Sequence, residues 1–327
     1  MFKLITIGDV LVDTHLIVDE SSAECAILHD HKKLCFNYAG KVPIKGSFQS
    51  LGGNAANVAR GAIELALNTA IIASIGNDPN GEFVTQELNA AGVDTTLVTI
   101  DDKALTRYST VINFQGERTI LSYHQKRKYV WPKEIPPSNW IYYTGLSDGY
   151  EKIQDGLLKY LSKHPTVRLA INPGSFQLKY APKKLLEALA RADILILNLE
   201  EAEMLLNTTL EKEKNLTSIM HQLMMFGAKE VVITDGANGV FALEEDEGWH
   251  MESLPVKVIA KTGAGDAFSA GYLAARIKGE NMYTALMWGI ANSSGVIQKH
   301  GPHFGLLDEN GIKRMLKRYN HVRPKRI

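Results

Sequence analysis

The chain has 327 residues, 45% hydrophobic and 22% charged, which is long enough for a large core and excludes a compositionally disordered protein. Its 36 Lys and Arg balance 36 Asp and Glu, so no global field attracts nucleic acid or an anionic membrane, and any phosphate recognition must be local. Cys25 and Cys35 lack metal-ligand spacing, no apolar run reaches the roughly 18 residues of a membrane span, and the opening segment is too acidic for a signal peptide; a reduced, cytoplasmic protein is expected.

In chain order, FKLITIG (2–8) predicts a strand, NAANVARGAIELAL (54–67) a helix, TAIIASIG (69–76) a strand and GEFVTQELNAAG (81–92) a helix. WIYYTG (140–145), VRLAIN (167–172), ADILILN (192–198) and KEVVITDG (229–236) continue the alternation as buried strands with helices between them. The expected fold is an α/β, doubly wound, mostly parallel sheet sandwiched by helices. Residues 14–45 lack a helical period, and RYSTVINFQGERTILSY (107–123) reads as two strands joined at Gln115, Gly116 and Glu117. Segments 14–45 and 105–124 therefore read as a small β-sheet lid, or a clasp that joins two copies into a homodimer, with an ordinary edge hairpin as the alternative. WPKEIPP (131–137) leads back to the main sheet, and the basic stretch Lys313 to Arg326 reads as a solvated helix end.

Lys261, Thr262, Gly263, Ala264, Gly265 and Asp266 open onto AFSAGYLAARIKG (267–279), a run apolar nearly all round. A glycine loop entering a helix aims unpaired backbone N–H groups at one point, where the helix dipole favours an anion. Asp266 beside a substrate hydroxyl would accept its proton during attack on phosphorus, although the residues alone equally allow an N-terminal cap. At Leu51–Gly52–Gly53, a second glycine turn enters a helix, and Asn54 and Asn57, three apart, suit a polyhydroxylated ligand; a capping role for Asn54 stays open. Asp13, in GDVLVD (8–13), is placed either to accept from two sugar hydroxyls in the crevice or in a solvated loop. Asn198, Glu200 and Glu201 after one strand, and Thr234, Asp235, Gly236 and Gly239 after the next, offer groups for Mg²⁺ and a nucleotide. No GxxxxGK[ST], HExxH or EF-hand pattern occurs, and no GxGxxG follows the first strand.

Taken in order, GDVLVD, GGNAANVARG, NLEEAE, ITDGANG, KTGAGDAFSAG and ANSSG resemble the successive motifs of the ribokinase-like PfkB carbohydrate kinases, from about residue 4 to residue 305. The resemblance implies the same sandwich with a β lid, and ATP-dependent transfer to a sugar hydroxyl with Mg²⁺. By motif position it implies Asp266 as catalytic base, with the amides of Gly263, Ala264 and Gly265 as its anion hole. It implies that Asp13, Gly53, Asn54 and Asn57 hold the sugar, that Asn198 and Glu201 place phosphate and Mg²⁺, and that Thr234, Gly236, Gly239 and Asn292 contact the nucleotide. The family commonly has DTTGAGD, yet Ala260, Lys261 and Thr262 stand here, so an acidic residue associated with potassium is missing, and Lys261 reads either as a positive charge near the phosphates instead or as a solvated lysine. Two alternatives accompany the sugar reading. One is a nucleoside acceptor stacked on Phe114, Tyr123 or His124, which also read as packing within the lid; the other is a non-catalytic sensor of sugar and nucleotide.

Overall fold

The computed structural model describes residues 1–28, 33–123, 126–180 and 182–327. From the N-terminus, Phe2–Ile7 (β1) enters the centre, and the chain then leaves it through Leu11–Val18 (β2), the hairpin Cys25–Leu28 (β3) and Lys33–Phe36 (β4), and Ile44–Gly52 (β5). Asn54–Glu64 (α1) returns to Thr69–Gly76 (β6), and Pro79–Ala90 (α2) crosses to Val98–Asp101 (β7). A second excursion, Arg107–Phe114 (β8) and Glu117–Tyr123 (β9), precedes re-entry at Ser138–Thr144 (β10). Then follow Glu151–Lys163 (α3), Arg168–Asn172 (β11), Ser175–Tyr180 (α4), Pro182–Leu189 (α5), Ile194–Asn198 (β12), Leu199–Leu206 (α6), Leu210–Glu213 (α7), Leu216–Met224 (α8) and Glu230–Thr234 (β13). The chain closes with Val240–Glu244 (β14), Glu247–Met251 (β15), Ala264–Ile277 (α9), Met282–Val296 (α10), Glu309–Arg318 (α11) and Lys325–Arg326 (β16).

The main sheet runs β16-β15-β14-β13-β12-β11-β10-β1-β6-β7, parallel from β13 to β7 and antiparallel at the β14–β16 edge. Successive residues of each strand face opposite layers, so Tyr143 packs in one cluster with Leu157 and Leu223 while Tyr142 packs in the other with Phe268 and Leu286. Both layers are apolar, which explains the continuous hydrophobic runs of the central strands. β1 pairs β10 on one side and β6 on the other, so the strand order reverses there and a crevice opens at the carboxyl ends.

The second sheet, the expected lid, has the order β5-β2-β8-β9, with β2 and β8 parallel and the outer pairs antiparallel. It is wider than the expected 14–45 and 105–124: β2 begins at Leu11 and β5 runs to Gly52, while residue 124 lies outside the described residues. Gln115 and Gly116, both at positive φ (50° and 79°), make the turn, and Glu117 already belongs to β9. Residues 131–137 do connect the lid to β10. At the C-terminus the helix stops at Arg318 and residues 325–326 add an edge strand on β15, which the charge pattern of that stretch concealed.

Candidate active site

Gly263 precedes α9 with φ 77°, and a Cβ on it would come within 2.5 Å of Pro302, so both the backbone conformation and the close approach require glycine. Among the described residues no side chain caps this end, and apart from its chain neighbours and the backbone of its own helix nothing lies within 4 Å of the position a Cβ on Gly265 would take. Space is thus open beside Gly265 at the start of α9, although the Ala264 amide donates to Lys261 O at 3.4 Å, and a helix start draws an anion. The helix itself is buried from Ala267 through Ala275, in keeping with its apolar sequence.

Asp266 stands half-buried in the first turn of α9, and Asn57 Nδ2 donates to its Oδ2 at 2.7 Å. Among the described residues no cation is ion-paired with it. Burial pushes its pKa up to about 6, against the lowering effects of the Asn57 hydrogen bond and the Arg118 charge, with Asp13 adding to the rise. Asn54 does not cap its helix; the cap position is Gly53, at φ 97°, and Asn54 is exposed. One helical turn thus carries a free amide and a buried amide that reaches Asp266.

In front of Asp266 a recess of about 260 Å³ is lined by Asn54, Arg118, Asn172, Asn198, Glu201, Thr234, Lys261 and Gly263 through Asp266. Asn172, Asn198 and Thr234 are the last residues of β11, β12 and β13, with Asn198 and Thr234 in register, so the parallel sheet delivers three polar groups in a row. Asn198 and Glu201 cap α6 reciprocally: Asn198 Oδ1 accepts from Glu201 N at 2.8 Å, and Glu201 Oε2 accepts from Asn198 N at 2.9 Å. Burial raises the Glu201 pKa to about 7, and the neighbouring charges of Asp266 and Glu200 add to the rise. Among the described residues no group of three or more His, Cys, Asp or Glu is arranged to hold a metal by itself.

The lid supplies the opposite wall. Asp13 rides on β2 rather than on the end of β1, because β1 stops at Ile7; its Oδ1 accepts from Ser109 Oγ on β8. Burial raises its pKa, while the Ser109 hydrogen bond and the Arg118 charge lower it. His15, also on β2, is stacked on Phe48 with ring centroids 4.5 Å apart and lies 3.1 Å from Ser50 Oγ. Its pKa falls to about 4 through burial and the nearby His300 and Arg118.

Some expected residues take other places. Asn292 is fully enclosed in α10: its Nδ2 donates to Ala267 O at 2.8 Å and its Oδ1 accepts from Leu307 N at 2.9 Å, so neither end is left for a nucleotide, and it braces α9 instead. Gly236 and Gly239 shape the turn after Thr234 without lining the recess, although Gly236 faces open space. Lys261 lines the recess but is ion-paired at 2.7 Å with Glu117, the first residue of β9 in the lid. Phe114 is buried in the lid's own cluster with Val18 and Ile112, as its lid-packing reading expects; Tyr123 is half-exposed on β9, and His124 lies outside the described residues. Sequence reasoning missed Asn172, Arg118, Ser109 and His303. Asn172 had a signal, as the last residue of a predicted strand; the others are recruited only by the fold.

Residues 17–309 match the pfkB family of carbohydrate kinases. A curated ribokinase of Staphylococcus aureus is 24% identical over 317 residues, covering 91% of this chain and 94% of that protein. A 5-dehydro-2-deoxygluconokinase of Halalkalibacterium halodurans is 29% identical over 272 residues, covering 76% of this chain and 80% of its own. Among solved structures, Arabidopsis thaliana ribokinase complexed with ribose and ATP aligns with a TM-score of 0.79 at 19% identity, covering 97% of this chain and 99% of that one.

Proposed function

The chain belongs to the pfkB family of carbohydrate kinases and is a phosphotransferase with a hydroxyl acceptor, and from that premise we propose that it moves the γ-phosphoryl group of ATP to a primary hydroxyl of a small sugar such as ribose, fructose or a related compound. The observation that carries this reading is the 2.7 Å hydrogen bond from Asn57 to Asp266, which joins the sugar-type turn of α1 to the anion-type turn of α9 around one carboxylate without a cation. Asp266 takes the proton of the acceptor hydroxyl as its oxygen attacks phosphorus, and the amides of Gly263, Ala264 and Gly265 meet the charge that develops on the transferring group. Asp13, Gly53 and Asn54 hold the acceptor, while Asn57, expected to hold it too, has its two amide ends taken by Asp266 and His303 and steadies the base instead. Asn198, Thr234 and the 236–239 turn hold the nucleotide, with Arg118 closing over the phosphates from the lid. The lid excludes water, which otherwise competes for the phosphoryl group.

The donor set fits a nucleotide-bound Mg²⁺. Mg²⁺ keeps several waters and needs only one or two carboxylates beside the phosphates, and Glu201 offers a crowded carboxylate at the recess with one oxygen committed to its helix cap. When bound, the ion shields the phosphate charge. Ala260 supplies no carboxylate for a potassium ion, which speaks against activation by a monovalent cation. Exposed Ile120, Leu121 and Tyr123 on β9, an edge strand of the lid, support pairing of two chains there.

Replacing Asp266 by Asn keeps the shape and removes the base. Phosphoryl transfer to a panel of ribose, fructose, 2-keto-3-deoxygluconate, adenosine and cytidine is expected to fall by about 10²-fold or more for whichever acceptor wild type accepts. Activity within about threefold of wild type overturns the assignment, and nucleotide and sugar binding without product in wild type itself establishes the sensor instead.

A further inference from the structure

We infer that His303 is a positioning residue that fixes the orientation of the Asn57 amide so that its N–H end, and not its oxygen, faces Asp266. The inference rests on Asp266 being the base. An asparagine amide has two ends of similar size and opposite hydrogen-bonding character, and an ionised carboxylate only accepts. Asn57 is buried, so which end meets Asp266 depends on what meets the other end. That partner is His303 Nε2, 2.7 Å from Asn57 Oδ1. With its proton on Nε2 the imidazole donates to Oδ1, and Nδ2 is left to donate to Asp266. A flipped amide would set its oxygen against the carboxylate and its N–H₂ against an N–H donor, losing both hydrogen bonds at once.

Two further observations support this role. His303 is itself buried, and burial together with Arg60 and His15 pushes its pKa down to about 3, so it stays neutral and adds no cation to the site. The segment that carries it is also held in place. Gly301 turns at φ 95°, and the next residue, Pro302, packs against Gly263 at the mouth of the anion-type turn. One three-residue stretch therefore supports both halves of the site, although 246 positions separate Asn57 from His303. The groups facing Asp266 come from several elements: Asn57 on α1, Asp13 on β2, Arg118 on β9, Tyr142 on β10 and Glu201 on α6. Asn57 alone among them is hydrogen-bonded to it among the described residues.

The test is the kcat, KM and kcat–pH profile of the full chain with His303→Ala and His303→Gln, beside Asp266→Asn. His303→Ala is expected to lower kcat about tenfold or more with little change in nucleotide KM. The acid limb of its profile is expected to move to higher pH, because Asp266 loses its reliable donor. His303→Gln, whose amide N–H₂ reaches the same acceptor, is expected to recover most of the loss. Should His303→Ala not fold, His303→Met keeps the volume, removes the donor and takes its place. Full kcat and an unmoved acid limb in these variants, with Asp266→Asn inactive, overturn the positioning role and leave the base standing. Failure of His303→Gln to recover activity lost in the donor-free variant overturns it as well. Turnover retained in Asp266→Asn overturns the base, and the inference with it.

Discussion

Asp9, just after β1, and Asp266, in the first turn of α9, have opposite surroundings. Asp9 is buried against Arg107 at the root of the lid, receives the Tyr129 hydroxyl at 2.5 Å, and Tyr129 in turn accepts from Ser147 N at 3.1 Å. Burial raises its pKa, and the Arg107 charge and Tyr129 hydroxyl pull it back. Asp266 has one amide, no cation and an open side. A carboxylate surrounded by donors on all sides holds the fold together and has no capacity left for a substrate; one left short of partners keeps that capacity at a cost in stability. Of the two carboxylates that follow β1, Asp9 is consumed by the lid root, and Asp13 sits on β2 of the lid rather than at the end of β1.

The comparison breaks most visibly at Arg107. Arg107→Met leaves a buried carboxylate without its cation and is expected to destabilise the protein by about 3–5 kcal/mol, read by urea denaturation. A loss under about 1 kcal/mol would mean that the lid root is wet or loosely held, and the contrast with Asp266 would fail.

Asp266→Asn is expected to move stability the other way. Its folded pKa of about 6 lies above the ordinary 3.8, so the folded state holds the proton more tightly than the unfolded one. Stability from this group is present at low pH and is lost as pH rises through the window between those two values. The uncharged amide escapes that loss, so the variant should be more stable than wild type by on the order of 1–2 kcal/mol at pH 8, with the difference closing near pH 4. Thermal melts of both proteins across pH 4–8 measure it; a wild type that is the more stable at pH 8 would show that Asp266 is well partnered after all. The same group sets the acid side of turnover, which should fall as pH drops through about 6.

Much of this contrast was legible before any coordinates. The βα alternation, the buried helix after residue 266 and the glycine turns at Gly53 and Gly263 are local patterns, each set by residues within one or two turns of chain. The amide of Asn57 was legible as a polar group of the site for the same reason. What the sequence concealed depends on distance along the chain. Asn292 reads as a polar side chain offered from an apolar helix, but its partners are the backbone of Ala267 and Leu307, which only packing brings near. The lid's true limits escaped because β2 and β5 are half-buried strands that follow a glycine-bearing segment without a break in composition. Arg107 and Asp9 are 98 residues apart, and nothing in either neighbourhood marks them as a pair.

The smallest effect expected is at Glu117 and Lys261, the exposed counterpart of the Asp9 and Arg107 pair. Both join lid to core, yet the Lys261 and Glu117 side chains are 58% and 71% exposed, so their 2.7 Å pair is screened by water and salt and contributes about 0–1 kcal/mol. Glu117→Gln should leave the melting temperature within a degree or so in moderate salt. Lys261 also lines the recess, and a nucleotide triphosphate is a stronger partner for it than a solvated glutamate. Glu117→Gln should therefore free Lys261 and tighten nucleotide binding slightly, whereas Lys261→Ala should weaken it several-fold, on the order of 1 kcal/mol. Isothermal titration with a non-hydrolysable ATP analogue at two salt concentrations separates the two. If Lys261→Ala leaves both nucleotide affinity and turnover unchanged, the lysine serves only the lid contact. The cation that faces the phosphates from the lid side is then Arg118 alone among the recess-lining residues.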